Sequence, residues 1–310
     1  MYFCRMSKEL KSWIYLFILS AIWGSSFILM KKAMYSSSGE EIFSDTQVAS
    51  MRMLFASTFL LPFAVQALRK IETWKEAGLL ALVGTCGNFF PAFLFTYSET
   101  GISSGYAGML NSFTPIFALL IGFFVFKQRL TRIQLIGVVI GSIGVVLLMW
   151  SGSDLSVTGG WSHILAIVVA TLFYAISLNT IKHTLQKFKS FEITSLSFLF
   201  LFVPSLIIAW QSGSYEEIQT NVHASDGLTA LLILSAVGTA LAVILFNQLV
   251  TISSVLFASS VTYLIPVFAV LIGLYFGEQI TWMQSGSMMI VLGGVFVANY
   301  FSRIRKSRPV

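Results

Sequence analysis

Polar or amphipathic residues stand inside long hydrophobic runs of this 310-residue chain, Ser25, Ser26, Asn179 and Asn247 among them, and seven are candidates for a site: Trp23, Arg52, Asn88, Asn111, Tyr174, Thr262 and Tyr263. Their chemistry is recognition rather than bond breaking. An Asn at membrane depth must be hydrogen-bonded, either to a neighbouring helix or to a ligand. Trp and Tyr offer an apolar ring with one polar handle. Arg offers a planar fork of donors that fits a carboxylate or phosphate. Such a set could line the cavity of a small organic solute. Each residue also has a plainer reading: interhelical glue for the amides, and for Arg52 either snorkelling to the interface or an ion pair with Glu99. Pro115 and Pro266 add a second feature. Each removes the helix hydrogen bond to the carbonyl four residues earlier, on Asn111 and Thr262. Carbonyls freed at that depth need protein or a wet cavity to satisfy them, so both prolines predict kinked helices beside the site.

Catalytic and metal constellations are missing. There is no HExxH and no Ser/His/Asp set at one depth, so no enzyme, cofactor or metal is expected. Cys4 and Cys86 have neither metal nor disulfide spacing. No Asp or Glu lies mid-membrane, and His163, His183 and His223 are not central, so uniport or exchange without an intramembrane proton carrier is expected. An integral-membrane enzyme, a receptor or a structural membrane module are the alternatives to a carrier.

The elements that must hold these residues follow from composition. The chain is 56% hydrophobic and only 10% charged, so lipid is its natural solvent. Ten apolar runs reach the length of a membrane span: 13–31, 47–67, 77–97, 103–126, 132–150, 161–182, 191–211, 228–250, 254–276 and 282–302. Continuous rather than alternating hydrophobicity makes them helices, because backbone groups in lipid must be satisfied within the segment. The first run is too long for a signal-peptide core, and Trp23 and Phe27 stand where small residues would be needed, so it is a retained span. Placing the N-terminus inside puts 16 of the 19 Lys and Arg residues on the cytoplasmic side, leaving Lys31 and Lys32 outside and Arg52 within a span. Both termini are then cytoplasmic, in the inner or cell membrane. The formal charge of +6 is spread over these loops, which argues against nucleic acid as a partner.

The chain also repeats itself. Residues 115–131 read PIFALLIGFFVFKQRLT and residues 266–281 read PVFAVLIGLYFGEQIT. A shift of 151 aligns Gly87 with Gly238, Phe95 with Phe246, Thr100 with Thr251, Ser103 with Ser254, Pro115 with Pro266 and Gly122 with Gly273. A shift of 150 aligns Gln134 with Gln284 and Gly144 with Gly294, and near the front Trp23 with Phe173 and Lys32 with Lys182. Two halves of five spans, 1–150 and 151–310, follow. Five is odd, so the second half enters from the opposite side: an all-α membrane protein of ten helices in two inverted five-helix repeats. Inverted repeats are the signature of alternating-access carriers with a midplane site. Gly137 and Gly141 form a GxxxG that serves either a homodimer or packing within a monomer.

The residues AIWGSSF at 21–27, Arg52, SSGYAGMLNSFTPIFALLIG at 103–122 and SSVLFASSVTYLIPVFAVLIGLYFGEQIT at 253–281 carry a resemblance over nearly the whole chain. It resembles the drug/metabolite transporter superfamily, in its ten-helix form with two EamA-type repeats. The resemblance implies a secondary carrier, often an exporter, of amino acids, metabolites or drugs. That family usually has Glu after span four in both halves; this chain has Gln128 in the first and Glu278 in the second.

Overall fold

The computed structural model describes residues 8–151, 160–259 and 261–306; Cys4, Arg5, Arg308 and most of the expected seam at 151–160 lie outside the described residues. Among the described residues the chain is helical, apart from one bridge between Tyr35 and Glu41. The long helices are α1 (Lys8–Met34), α2 (Asp45–Ala67), α3 (Trp74–Glu99), α4 (Ser104–Phe124) and α5 (Arg132–Ser151). They continue with α6 (Gly160–Thr184), α7 (Ser190–Gln211), α8 (Ala224–Ile252), α9 (Val261–Tyr275) and α10 (Trp282–Lys306). A short helix, Val255–Ser259, precedes α9. Among the described residues, eight helices are long and apolar enough to cross a bilayer, and Arg132–Gly144 of α5 is a shorter apolar stretch.

Helix ends are set by side-chain caps. Ser44 and Gln47 form a capping box at the start of α2, with the Ser44 amide donating to Gln47 Oε1 at 2.9 Å. Thr131 and Gln134 start α5, and Thr281 and Gln284 start α10, in the same way: the Thr amide donates to the Gln Oε1 at 2.8 and 3.0 Å. The repeated Gln seen in the sequence is therefore a helix-starting device.

The ends of α4 and α9 are also alike. The Gln128 amide donates to Gly122 O at 2.9 Å, and the Glu278 amide to Gly273 O at 2.9 Å. Each loop needs one left-handed residue: Gly277 at φ 84°, but Lys127 at φ 53°. A Cβ in that conformation costs about 1–2 kcal/mol. Lys127→Gly is therefore expected to raise stability by about 1 kcal/mol, read as a higher melting temperature, whereas Gly277→Lys should lower it.

Glycines set how closely the helices approach. A Cβ on Gly24 of α1 would stand 2.5 Å from Phe268 Cβ of α9, and one on Gly84 of α3 would stand 2.7 Å from Ser197 O of α7. In α5 and α10, a Cβ on Gly294 would collide with the backbone of Gly141 and stand 2.7 Å from Gly137 O. The GxxxG of α5 is thus occupied within the chain.

Two further irregularities matter. Helix α3 passes through a π-turn at Thr85–Phe89, and α8 through one at Ala236–Leu241. Helix α4 is interrupted by a 3-10 turn at Asn111–Phe113, so Pro115 begins a new α segment rather than kinking a continuous helix. Pro266 does lie within α9.

Candidate solute cavity

A cavity of about 100 Å3 lies among α1, α2, α3, α4, α6, α7, α8 and α9. Its wall includes Trp23, Arg52, Asn88, Asn111, Tyr174 and Thr262. Tyr263 is not on this wall; it packs against the main apolar core. Of the two adjacent candidates on α9, Thr262 shares the cavity with Asn111 and Tyr263 does not. Adjacent residues on a helix point about 100° apart, which is why the neighbour rather than Tyr263 reaches the space.

The two π-turns shape this cavity. They bring Gly87 and Asn88 from α3, and Gly238 and Thr239 from α8, to its wall. A π-turn inserts an extra residue per turn and leaves backbone groups free to bond elsewhere. Trp23 Nε1 uses one of them, donating to Gly238 O at 3.1 Å. The Trp23 ring meets Phe246 at 5.0 Å, and the Tyr174 ring meets Phe95 at 5.9 Å. Corresponding members of the two pairs, Trp23 and Tyr174, and Phe95 and Phe246, are 151 residues apart, which favours aligning the front of the repeat as Trp23 with Tyr174 rather than with Phe173, and Lys31 rather than Lys32 with Lys182.

Arg52 is turned inward. Its Nε donates to Thr239 Oγ1 at 2.8 Å and its Nη1 approaches Met30 Sδ at 3.6 Å. The pairing with Glu99 that the sequence allows does not form; Glu99 instead accepts from Ser104 Oγ at 2.9 Å. The carbonyls freed by the prolines are satisfied by hydroxyls: Thr114 Oγ1 donates to Asn111 O at 3.0 Å, and Ser112 Oγ to Thr262 O at 3.4 Å. Of the other mid-span amides, Asn247 bonds Thr194 Oγ1 at 2.8 Å and also reaches the wall. Asn179 bonds the carbonyls of Ala118 and Ala175, and is glue.

Beyond the cavity, at the end where α1 finishes and α4 begins, Glu278 closes the bundle. Its carboxylate accepts from the amides of Ser104 and Gly105 at 2.9 Å each and from Lys31 Nζ at 3.2 Å. An anion is favoured at a helix N-terminus by the unpaired amides there. Burial alone would raise the Glu278 carboxyl, but Lys31 and these two amides hold it below the usual carboxylate range. Glu99 lies beneath, 2% exposed and 4.0 Å from the same Lys31. This latch joins three elements, and sequence patterns do not reveal it; only the Glu at 278 hints at it.

The opposite end is built differently. A cavity of about 780 Å3 lies between the start of α1 and the end of α4, lined by Lys8, Trp13, Gln128, Lys182 and His183 among others. Lys182, in the place of Lys31, donates to the carbonyls of Val250 and Ser253 at 3.0 and 2.5 Å. Gln128, in the place of Glu278, meets the His183 ring. No carboxylate bridges this end as Glu278 bridges the other, among the described residues.

Known proteins share this organisation. An uncharacterized transporter of Bacillus subtilis (strain 168), YdfC, is 25% identical over 282 residues, covering 90% of this chain and 87% of that protein. A Salmonella typhimurium protein named "Probable amino-acid metabolite efflux pump" is 22% identical over 302 residues, covering 94% of this chain and 96% of that one. One solved crystal structure superposes with a TM-score of 0.67 over 97% of this chain and 100% of that one at 14% identity, which marks a shared fold. The family model described as EamA-like transporter matches twice, over residues 11–150 and 161–300. With its apolar helices, the chain is a multi-pass membrane transporter, and it belongs to the EamA-like transporter family.

Proposed function

We propose that this chain is a secondary carrier that exports or exchanges a small organic metabolite, amino acid or drug-like solute by alternating access. It does so with ten spans in two inverted five-helix repeats and both termini in the cytoplasm. The observation that carries the reading is the cavity itself. It is walled by both halves, with the Glu278 cluster beyond one end and a second, separate cavity of the chain toward the other. In the orientation favoured by the basic loops, the Glu278 cluster belongs at the outer end and the larger cavity at the cytoplasmic end. The Salmonella relative's name supports efflux as the direction.

Counterflow in proteoliposomes, run against a panel of amino acids, nucleobases and drugs, tests this. At least one labelled solute should accumulate against its unlabelled form, and Asn111→Leu should cut that rate at least tenfold with normal protein abundance. One interhelical hydrogen bond in a membrane is worth only about 0.6–2 kcal/mol, too little to unfold the bundle. Tyr263→Leu, off the wall, should leave the rate near normal. Absence of flux across the panel would count against a carrier. A cysteine at position 220, in a chain lacking Cys4 and Cys86, should label from outside only; labelling from the cytoplasmic side would reverse the orientation.

A further inference from the structure

The cavity contains a cation with no anion to match it. Arg52 is the one charged residue on the described wall. Two of its guanidinium nitrogens have partners, the Thr239 hydroxyl and the Met30 sulfur, and both partners are neutral. No carboxylate pairs with it among the described residues. The nearest acids of the latch, Glu99 and Glu278, are engaged by Ser104, Gly105 and Lys31 instead. An unpaired guanidinium in a protein interior is costly, and that cost falls when an anion joins it. Thr239 also holds Nε, which fixes the plane of the fork; the long contact of Nη1 with the neutral Met30 sulfur is one that an anion can replace.

Resting on the carrier reading above, we propose that the transported solute is a monoanion whose carboxylate binds Arg52, with an apolar body against Phe27, Phe95, Phe246 and Ile265. Charge selects carboxylate over phosphate. A phosphate monoester carries about −1.5 to −2 at neutral pH, and a single guanidinium would leave it half neutralised in a largely apolar space. A carboxylate at −1 is matched one to one, in the bidentate geometry Arg favours. The wall also explains the body. Its aromatic and aliphatic side chains have no need of a second charge, and Asn88 and Asn111 on the same wall offer neutral hydrogen-bonding groups.

Paired probes that differ only in charge test the class. The full chain in nanodiscs is melted with 3-phenylpropionate, 4-methylpentanoate, their uncharged amides and phenyl phosphate. Each acid should raise the melting temperature in a saturable way, with an apparent affinity at least tenfold above that of its amide and of phenyl phosphate. Arg52→Gln should erase the preference for acid over amide, and Arg52→Lys should keep only part of it. Should Arg52→Gln fail to fold, Thr239→Val leaves the charge but frees the fork, and should weaken the acids while leaving the amides unchanged. The proposal is overturned if no acid binds, if amides or phenyl phosphate bind as well as the acids, or if Arg52→Gln keeps the preference. Binding of acid without any counterflow would sink the carrier reading alone; counterflow of amides equal to that of acids would sink the carboxylate alone.

Discussion

Glu278→Ala is expected to open the end of the cavity that bears Lys31. The substitution removes the acceptor for the Ser104 and Gly105 amides and for Lys31 Nζ, all at once. Breaking a buried pair by deleting one member costs about 3–5 kcal/mol. The Lys31 side chain is 27% exposed, and solvent screening brings the expected loss to about 2 kcal/mol. Each 1.4 kcal/mol is about a factor of ten in population, so the open form should rise more than tenfold. A reporter cysteine at Ser26, on the cavity wall, reads this in a chain lacking Cys4 and Cys86. Its labelling by an impermeant thiol reagent from the Lys31 face should accelerate by that factor. Unchanged labelling would mean that Glu278 does not hold the end shut. The pH dependence has a defined sign. The Glu278 carboxyl is held below its usual value, so its stabilisation is complete above the ordinary carboxylate range and is lost as pH falls through the lowered one. Labelling of the otherwise unaltered chain should therefore gain an acid limb as pH falls through that lowered range, and Glu278→Gln should remove that limb.

Gly294→Leu is expected to be the most damaging apolar substitution. A Cβ at 294 would meet the Gly141 backbone and lie 2.7 Å from Gly137 O, and backbone cannot swing aside as a side chain can. Overpacking a core usually costs about 1–3 kcal/mol, and a backbone collision belongs at or above the top of that range. Helix α10 must separate from α5, and the melting temperature should fall sharply. Gly286→Leu, with open space around its Cβ, is the control and should be near neutral. If Gly294→Leu changed only self-association and not melting, the glycine face would belong to a dimer instead.

The positions of the helices are legible in the sequence because lipid leaves few choices. The apolar run 191–211 is the helix Ser190–Gln211, and 47–67 is Asp45–Ala67. The duplicated pattern likewise points to spans four and nine, and the family match recurs in both halves. Six of the seven candidate residues reach the cavity wall, since a polar side chain deep in an apolar run has few other places to go. Local backbone geometry is what the sequence hides. The π-turns at Thr85–Phe89 and Ala236–Leu241 have no compositional mark beyond a shared Gly. They conceal Thr239, the residue that orients Arg52. Proline has more than one use, and Pro115 starts a helix segment where a kink is expected. The ion cluster is hidden for another reason. Lys31, Glu99 and Glu278 come from three distant segments, and only folding reveals that they share one place.

At the matching loop positions, the two ends of the bundle differ by a carboxylate, Glu278 against Gln128. For the proposed carrier, this difference is an energetic bias between its two resting forms. On that proposal the empty protein would spend most of its time with the Lys31 end shut, and the population exposed on that side would be correspondingly small. A ligand's apparent affinity is divided by the fraction of protein ready to receive it. Solute arriving from the side of the larger cavity would therefore meet a waiting site, while solute from the latched side would first have to find the rare form. Half-saturation would be reached at lower concentration from the side of the larger cavity, even though the contacts inside the site are the same. Rectification of this kind sets how tightly each face holds its solute; the direction of net movement is still decided by the gradient.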